Sequence, residues 1–572
     1  MAWKSDSERA ARLKKETGAV RKSWKNRIRV ALVYPNSYHV GMSNLGFQSV
    51  YSLFNAFDDV VCERAFLPDQ TDGSRGGIRA FESGRPIKEF DIIAFSLSFE
   101  NDFPNILTIL EKAGLPLYSS QRDFPLPLVA AGGIASFLNP EPIADFIDFF
   151  LLGEAEALLE NFLAAYDPGN GKQACLKRLA RDVPGAYVPS LYKVSYKEDG
   201  SIEKTEPHGD APSRVKRMVS RDVLTTPAHT AIMTPDTVFK NKFLVEVGRG
   251  CFRGCRFCGA GFAYRPPMFF SADALEKCIE KGAMLSDQIG LVGAAVSDFK
   301  EMGRVRRMAS EHNLNISFSS LRADAVDDEF ASFLNQSGVK TAVIAPEAGS
   351  ERMRRIINKG ISESDILSAT ALFVNNGILN LKLYFMAGLP MERPEDIDAI
   401  VELCARTQET FLDASRKVGR AGVITVSLNP FVPKPFTPFQ WSEMSDISAM
   451  KKKIKTVAKG LKNTPNIRLH GNSAREAYVQ ALLSRGNRRV SKLIVSAAKD
   501  GKWNSVLQKS RAEADFHALR ARPLDEILPW DIIDSGIGKR FLASEYEHAQ
   551  NEKISPPCPM IDCGTCGRHC FS

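Results

Sequence analysis

Between residues 28 and 165 the chain alternates short unbroken apolar runs with longer stretches whose apolar positions recur every three or four residues. The runs 28–34 (IRVALVY), 60–64, 91–97 (DIIAFSL), 127–131 and 147–152 predict strands buried on both faces, because few polar residues interrupt them. The periodic stretches between them, such as 45–55, 105–112 and 154–164, predict helices. Strands alternating with helices give a parallel, doubly wound sheet of flavodoxin type. Its ligand site is expected beyond the carboxyl ends of the strands.

Residues 166–240 are polar and irregular and read as a connector with an insertion, containing one hairpin (186–196, then 200–204). A second strand–helix series starts at 243. Its strands are 243–247, 290–294, 316–319, 341–345, 381–386 and 422–428, with helices such as 272–286 and 394–407 between them. Six such units fall short of eight and predict a partial, open (β/α)6 barrel with its active site at the strand C-termini. The run 430–438 (PFVPKPFTP) is too rich in proline for helix or central strand and predicts a loop closing the barrel. The expected α/β division is therefore 1–27 (a basic segment), 28–165 (the doubly wound domain), 166–240 (connector), 241–442 (barrel), 443–550 (a mostly helical region) and 551–572 (a cysteine-rich tail).

A chain of 572 residues is too long for one core, in keeping with that division. It contains no apolar run of about 18 residues, so no membrane helix is expected. The N-terminus lacks the apolar stretch of a secretory signal, and Asp6, Glu8 and Glu16 argue against a mitochondrial presequence, which leaves the cytoplasm as the expected location. The net charge is +8, and the first 30 residues, with 10 basic and 3 acidic side chains, carry +7 of it. Such a segment is a solvated face or a frayed helix. It tilts the choice of substrate slightly toward an acidic partner such as RNA, with a protein or a small molecule equally open.

The 11 cysteines are clustered. Three lie at 251, 255 and 258, and four at 558, 563, 566 and 570, whereas Cys62, Cys175, Cys278 and Cys404 are isolated and read as buried apolar fillers. Short spacings in a cytosolic chain point to metal ligation rather than disulfides. Cys251-Phe-Arg-Gly-Cys255-Arg-Phe257-Cys258, directly after the first barrel strand, has the spacing C-x3-C-x2-C. Thiolates are the natural ligands of a [4Fe–4S] cluster, and three of them leave one iron open. That iron can chelate an amine and a carboxylate such as those of S-adenosylmethionine. One electron then cleaves the sulfonium C–S bond and releases a 5′-deoxyadenosyl radical. The competing reading is zinc, which needs a fourth ligand from elsewhere in the fold.

CFRGCRFC after a barrel strand resembles the signature of the radical SAM superfamily. The resemblance implies that Phe257 lies against the adenine. It implies a place for the methionyl amine in 293–298 (GAAVSD), near Ser297 and Asp298, although this wording departs from the family's Gly-Gly-Glu-like segment. Arg322, after Ser319 and Ser320, and Glu347, three residues before Ser350, are the candidates for ribose and carboxylate. The alternatives are a surface pair for Arg322 and a helix N-cap for Ser350. Gly388, in MAGLP, falls near the adenine.

Residues 28–165 resemble the B12-binding domain that precedes the barrel in one radical SAM subgroup. The matching words are YPN at 34–36, SLSFE at 96–100, AGG at 131–133 and GEAE at 153–156. This implies cobalamin, with Ser96 and Ser98 donating to its nucleotide tail and Gly132 and Gly133 leaving it room. The segment 37–42 (SYHVGM) lacks the Asp-x-His-x-x-Gly of other B12 proteins, so His39 reads as a polar loop residue and not a cobalt ligand. A domain that has lost cobalamin is the alternative.

The tail spacing C-x4-C-x2-C-x3-C over Cys558, Cys563, Cys566 and Cys570 suits a second iron–sulfur cluster or a structural zinc, with His569 as a substitute ligand. A mobile tail with redox or sulfur-handling cysteines is the third reading. LPWDIID at 528–534 extends the resemblance, to a bacterial subfamily of B12-domain radical SAM proteins, over nearly the whole chain.

The function so implied is methyl transfer to an unactivated carbon, fed by an external electron donor such as flavodoxin or ferredoxin. The alternatives are a non-methylating radical rearrangement or ring closure and a degenerate sensor or assembly protein. A methylthiotransferase is disfavoured, because those enzymes place three cysteines in the N-terminal domain and residues 28–165 hold only Cys62.

Overall fold

The computed structural model describes residues 2–68, 77–220, 226–319, 321–501, 503–560 and 563–567. The N-terminal sheet contains β1 (Ile28–Tyr34), β2 (Val60–Phe66), β3 (Ile92–Ser96), β4 (Leu128–Gly132), β5 (Phe149–Leu151) and β6 (Ala186–Tyr187) in the order β2-β1-β3-β4-β5-β6. The first five pair in parallel and β6 runs antiparallel to β5. This is the flavodoxin-like order, with its switch point between β1 and β3. The register places Ser96 opposite Gly132 and Gly132 opposite Leu151, so all three stand at one sheet edge. The predicted hairpin lies slightly later in the chain, in β7 (Tyr192–Tyr196) and β8 (Ile202–Pro207), because 186–187 is taken up as the sheet's edge strand. The connector then gives β9 (Val215–Lys216).

The barrel begins at β10 (Phe243–Glu246), which leads into a short ribbon of β11 (Gly248–Arg249) and β12 (Met268–Phe269). Strands β10, β13 (Gln288–Val292) and β14 (Asn315–Phe318) form one parallel sheet. Strands β15 (Thr341–Glu347), β16 (Asn380–Ala387), β17 (Ile424–Pro430) and β18 (Ile467–Gly471) form a second. The barrel wall thus has a seventh strand where the sequence predicted six. β18 (IRLHG) falls in the region read as helical, and it was hidden because this outer strand is mostly exposed or half-buried and carries no apolar run.

The region from 443 is not a separate module. Helices Ala474–Arg485 and Ser491–Asp500 bury Tyr478, Leu482 and Ile494 in the same core as Val30, Ile93 and Phe150 of the N-terminal sheet. β19 (Ile533–Asp534) pairs with β9, and the last helix, Lys539–Gln550, packs Tyr546 and Ala549 against the barrel's Phe439 and Ile357. Buried Trp530 donates its indole N–H to Gln440 at 2.8 Å. Among the described residues no helix is long and apolar enough to cross a membrane.

The basic N-terminus is docked rather than frayed. After helix Ala2–Lys14, Glu16 forms a fully buried pair with Arg64 (2.7 Å), and Lys22 donates to the carbonyls of Asn55, Phe57 and Val60. Arg9 donates to the Phe81 carbonyl and Arg27 to that of Asp58. Three of the ten basic groups that tilted the reading toward RNA, Arg9, Lys22 and Arg27, therefore hold carbonyls of the chain itself.

Candidate functional site

The cysteine loop leaves β10 through the β11–β12 ribbon. At Gly250 (φ 80°) a Cβ would meet the Tyr264 carbonyl oxygen at 2.4 Å, so only glycine lets the loop turn back on itself here. Cys255 is 9% exposed, and Cys251 and Cys258 are half-buried. Cys258 caps the short helix Gly259–Ala263, its Sγ accepting from the Gly261 amide at 3.4 Å. Amide donors of this kind stabilise thiolates bound to metal. Burial, with Cys255 alongside, pushes the Cys258 thiol up to about 11, and burial also raises Cys251. Ligation of either therefore releases a proton. Among the described residues no three His, Cys, Asp or Glu side chains converge as the ligands of a single metal ion do. Three thiols in one glycine-rich loop are the donor set a [4Fe–4S] cluster with one open iron uses.

One ion network joins the loop to three of the predicted residues. Arg253 donates to Asp298 (Nε to Oδ2 3.2 Å) and lies 3.5 Å from Asp324. Asp324 also accepts from Arg322, at 2.9 Å, and the Arg322 amide meets Ser297 Oγ at 3.3 Å. Ser297 and Asp298 sit in a single turn after β13, at its C-terminal end. Arg322 therefore has its pair, but it also reaches the carbonyls of Lys359 and Gly360. Glu347 ends β15 at φ 67°, a conformation uncommon for a non-glycine residue and concentrated at functional sites.

Glu347 accepts from Lys359 Nζ at 3.2 Å. Burial works against the Lys359 ammonium, but the negative charges of Glu347 and of a Cys255 thiolate outweigh it and raise its pKa. Sequence reading missed Lys359, because Asn-Lys-Gly at 358–360 signals only a turn. Ser350 is a helix N-cap, accepting from the Met353 amide. Phe257, like Met386, Met391 and Tyr546, packs against the buried cluster that includes Ile357, Leu389 and Phe439, and Gly388 is buried with its amide donated to Glu392.

The four residues predicted to hold a corrinoid come together. Ser96, Ser98, Gly132 and Gly133 line a cavity of about 570 Å³ at the C-terminal edge of the N-terminal sheet. The opposite wall is the barrel: Gly248, Arg249 and Gly250 of the cysteine loop, with Gly293 and Ser319. Arg249 ties the two walls, bonding Glu156 (2.7 Å), Glu154 (3.4 Å) and Glu246 (3.0 Å). Burial raises the pKa of Glu154 and Glu246. His39 is exposed and does not line the cavity.

Behind Ser98, which accepts from Asn44 at 3.0 Å, Asn36 donates to Asp102 at 2.8 Å. Burial pushes Asp102 up to about 6. A raised carboxyl binds its proton more tightly in the folded state, so stability falls as pH rises from about 4 to 6. Asp102→Asn is expected to raise the melting temperature by about a degree or two at pH 8, with no gain at pH 4, in paired calorimetric scans.

The C-terminal cysteines divide. The Cys558 amide donates to the Phe252 carbonyl at 2.7 Å, Cys563 is half-buried and Cys566 is buried. Cys570 and His569, like Ser320, lie outside the described residues.

Comparison with known proteins adds to this geometry. The family model for radical SAM proteins, N-terminal, matches residues 46–189, and that for the radical SAM superfamily matches 245–404. The uncharacterized protein MJ0966 of Methanocaldococcus jannaschii is 32% identical over 489 residues, covering 84% of this chain and 94% of its own length. Among solved structures, the cobalamin-dependent S-adenosylmethionine radical enzyme OxsB with aqua-cobalamin and S-adenosylmethionine bound aligns over 92% of this chain and 79% of its own, at 12% identity and a TM-score of 0.45. OxsB with aqua-cobalamin alone aligns at 16% identity over 67% of this chain, with a TM-score of 0.43, and this chain spans about half (52%) of its length. Coproporphyrinogen III oxidase (HemN) from Escherichia coli aligns over 38% of this chain and 51% of its own, at 14% identity and a TM-score of 0.30. With the superfamily match running from β10 across the cysteine loop, and a relative alignable over nearly its whole length, the chain belongs to the radical SAM superfamily and is a radical SAM enzyme.

Proposed function

We propose that this enzyme holds its [4Fe–4S] cluster on Cys251, Cys255 and Cys258 and methylates an unactivated carbon of its substrate with the help of a corrinoid in the interdomain cavity. The single observation that carries the reading is that cavity, one wall of which is the cysteine loop and the other the small-residue edge of a flavodoxin-like sheet. The fit can be tested on the glycines. Gly133 (φ 99°) is required by the chain itself, since a Cβ there would lie 2.5 Å from the Leu97 carbonyl oxygen. At Gly132 a Cβ would meet only the Leu151 carbonyl oxygen, at an ordinary 3.6 Å. No packing demand explains glycine at 132, whereas a bulky ligand lying against the sheet edge does.

When bound, the cluster supplies the electron that cleaves S-adenosylmethionine, drawn from a donor such as flavodoxin or ferredoxin, and the corrinoid supplies a methyl carrier. The chain's own residues bind and orient. In this reading Lys359, beside Glu347 and within electrostatic reach of the thiols, takes the methionyl carboxylate. Ser297 and Asp298 take the amine, Arg322 and Glu347 the ribose side, and Phe257 and the Gly388 turn face the adenine. Ser96 and Ser98 donate to the corrinoid's tail. Cys558, Cys563, Cys566 and Cys570 would hold a second, fully ligated metal group.

The test is to produce the chain with B12, reconstitute iron and sulfide anaerobically, and add dithionite with methyl-deuterated S-adenosylmethionine and extracts of a deletion strain. Labelled methyl appearing on a carbon of an extract component, together with 5′-deoxyadenosine, is the expected result. 5′-Deoxyadenosine without any transferred label would remove the methyl-transfer reading. Lys359→Met is expected to weaken S-adenosylmethionine binding about tenfold, the cost of losing one hydrogen bond to a charged group, measured by calorimetry on the oxidised, loaded protein.

A further inference from the structure

We propose that the C-terminal segment 545–558 is the outer wall of the cluster loop, and that Arg256 is the positioning residue that fastens the two together. Arg256 lies between Cys255 and Phe257 and is wholly buried, at 0% exposure. A guanidinium has five N–H donors in a planar fork. Here all five are used. Nε donates to Glu545 (3.1 Å), one terminal nitrogen to the carbonyls of Arg355 and Ile356 (3.2 and 2.8 Å), and the other to the Lys553 carbonyl (2.8 Å) and Ser555 Oγ (3.0 Å).

Three further contacts run in the same direction. Asn358 donates to the Gly254 carbonyl at 3.3 Å and accepts from the Ser555 amide at 3.1 Å. Ser555 Oγ donates to Glu545 at 2.9 Å. The Cys558 amide closes the series on the Phe252 carbonyl at 2.7 Å. A segment nearly 300 residues downstream thus holds the backbone at Phe252 and, through Asn358, at Gly254, and it takes the side chain at 256, all within the cysteine loop. Partners that orient metal ligands in this way govern retention of the metal and its electronic state.

The inference rests on the assignment of the cluster to Cys251, Cys255 and Cys258. The experiment compares full-length, reconstituted wild type with Arg256→Lys, Ser555→Ala and Ser555→Thr. A remote core change, Ile424→Val in β17, serves as a control for general destabilisation. The readouts are iron release to bathophenanthroline under dithionite and the electron paramagnetic resonance spectrum of the reduced cluster.

Lysine keeps the charge but not the fork. Arg256→Lys and Ser555→Ala are expected to release iron roughly tenfold faster, the lower end of what loss of an outer partner costs a metal site, with a changed spectrum. Ser555→Thr, which keeps the hydroxyl, should restore both readouts, and the control should move neither. Wild-type release rates and spectra in Arg256→Lys and Ser555→Ala overturn the proposal. If Arg256→Lys does not fold, Ser555→Ala and Ser555→Thr decide it alone. A wild type that takes up no cluster defeats instead the assignment on which the proposal rests.

Discussion

Cys255→Ala is expected to abolish formation of 5′-deoxyadenosine by the reconstituted enzyme, a loss of at least about a hundredfold, since even outer-shell changes at metal sites cost 10–100-fold. Cys255 is the discriminating choice of the three. It is the most enclosed of the set, and its amide neighbour Arg256 is locked in place by five hydrogen bonds. Removing its thiol therefore deletes a ligand without freeing the loop to recruit another. Cys404→Ala is the matched control. Cys404 is also buried, but it sits in helix Pro394–Val418 within the barrel core, where the change costs packing and leaves the cluster alone. Iron content, the spectrum of the reduced cluster and product formation are read together. A Cys255→Ala protein that still cleaves S-adenosylmethionine would show that the cluster is held elsewhere, and zinc recovered from the wild type would favour the competing metal.

What the sequence made legible follows from how each signal is encoded. The doubly wound sheet could be read because strands such as IRVALVY are buried on both faces and announce themselves as apolar runs. The cysteine loop stood out because its three cysteines are crowded into eight residues. β18 escaped because an outer strand needs no such run. Arg256 and Ser555 escaped for a different reason. Their bond joins positions 299 apart, and no local periodicity reports on such a contact. The same applies to Arg249, whose partners Glu154 and Glu156 come from the other domain. The basic N-terminus misled because charge was read without its acceptors, which are backbone carbonyls of the first sheet's elements and are invisible in composition. The packing of the C-terminal half was not legible, because helices such as Ser491–Asp500 are amphipathic in the ordinary way and the pattern does not say which core they enter.

Gly132→Trp is expected to lower the corrinoid retained by protein produced with B12 by at least about tenfold, the equilibrium equivalent of the 1–3 kcal/mol that overfilling a packed site costs. The position matters. Gly133, next to it, cannot serve, because its φ of 99° and the Leu97 carbonyl oxygen 2.5 Å from any Cβ mean that a substitution there distorts the backbone whatever the cavity holds. Gly132 ends β4 with ordinary strand pairing to Ser96 and Leu151, so an indole is accommodated by the chain and must occupy space beside the cavity wall. Iron content and melting temperature should stay close to the wild type, because the residue touches neither the cysteine loop nor its fastening to segment 545–558. Absorption of the bound corrinoid and cobalt per chain are the measurements. Retention at the wild-type level would move the corrinoid out of this cavity. A wild type that never takes up a corrinoid would leave the radical SAM reaction standing without it, and the small residues along the sheet edge would then belong to whatever substrate the cavity admits beside the cluster.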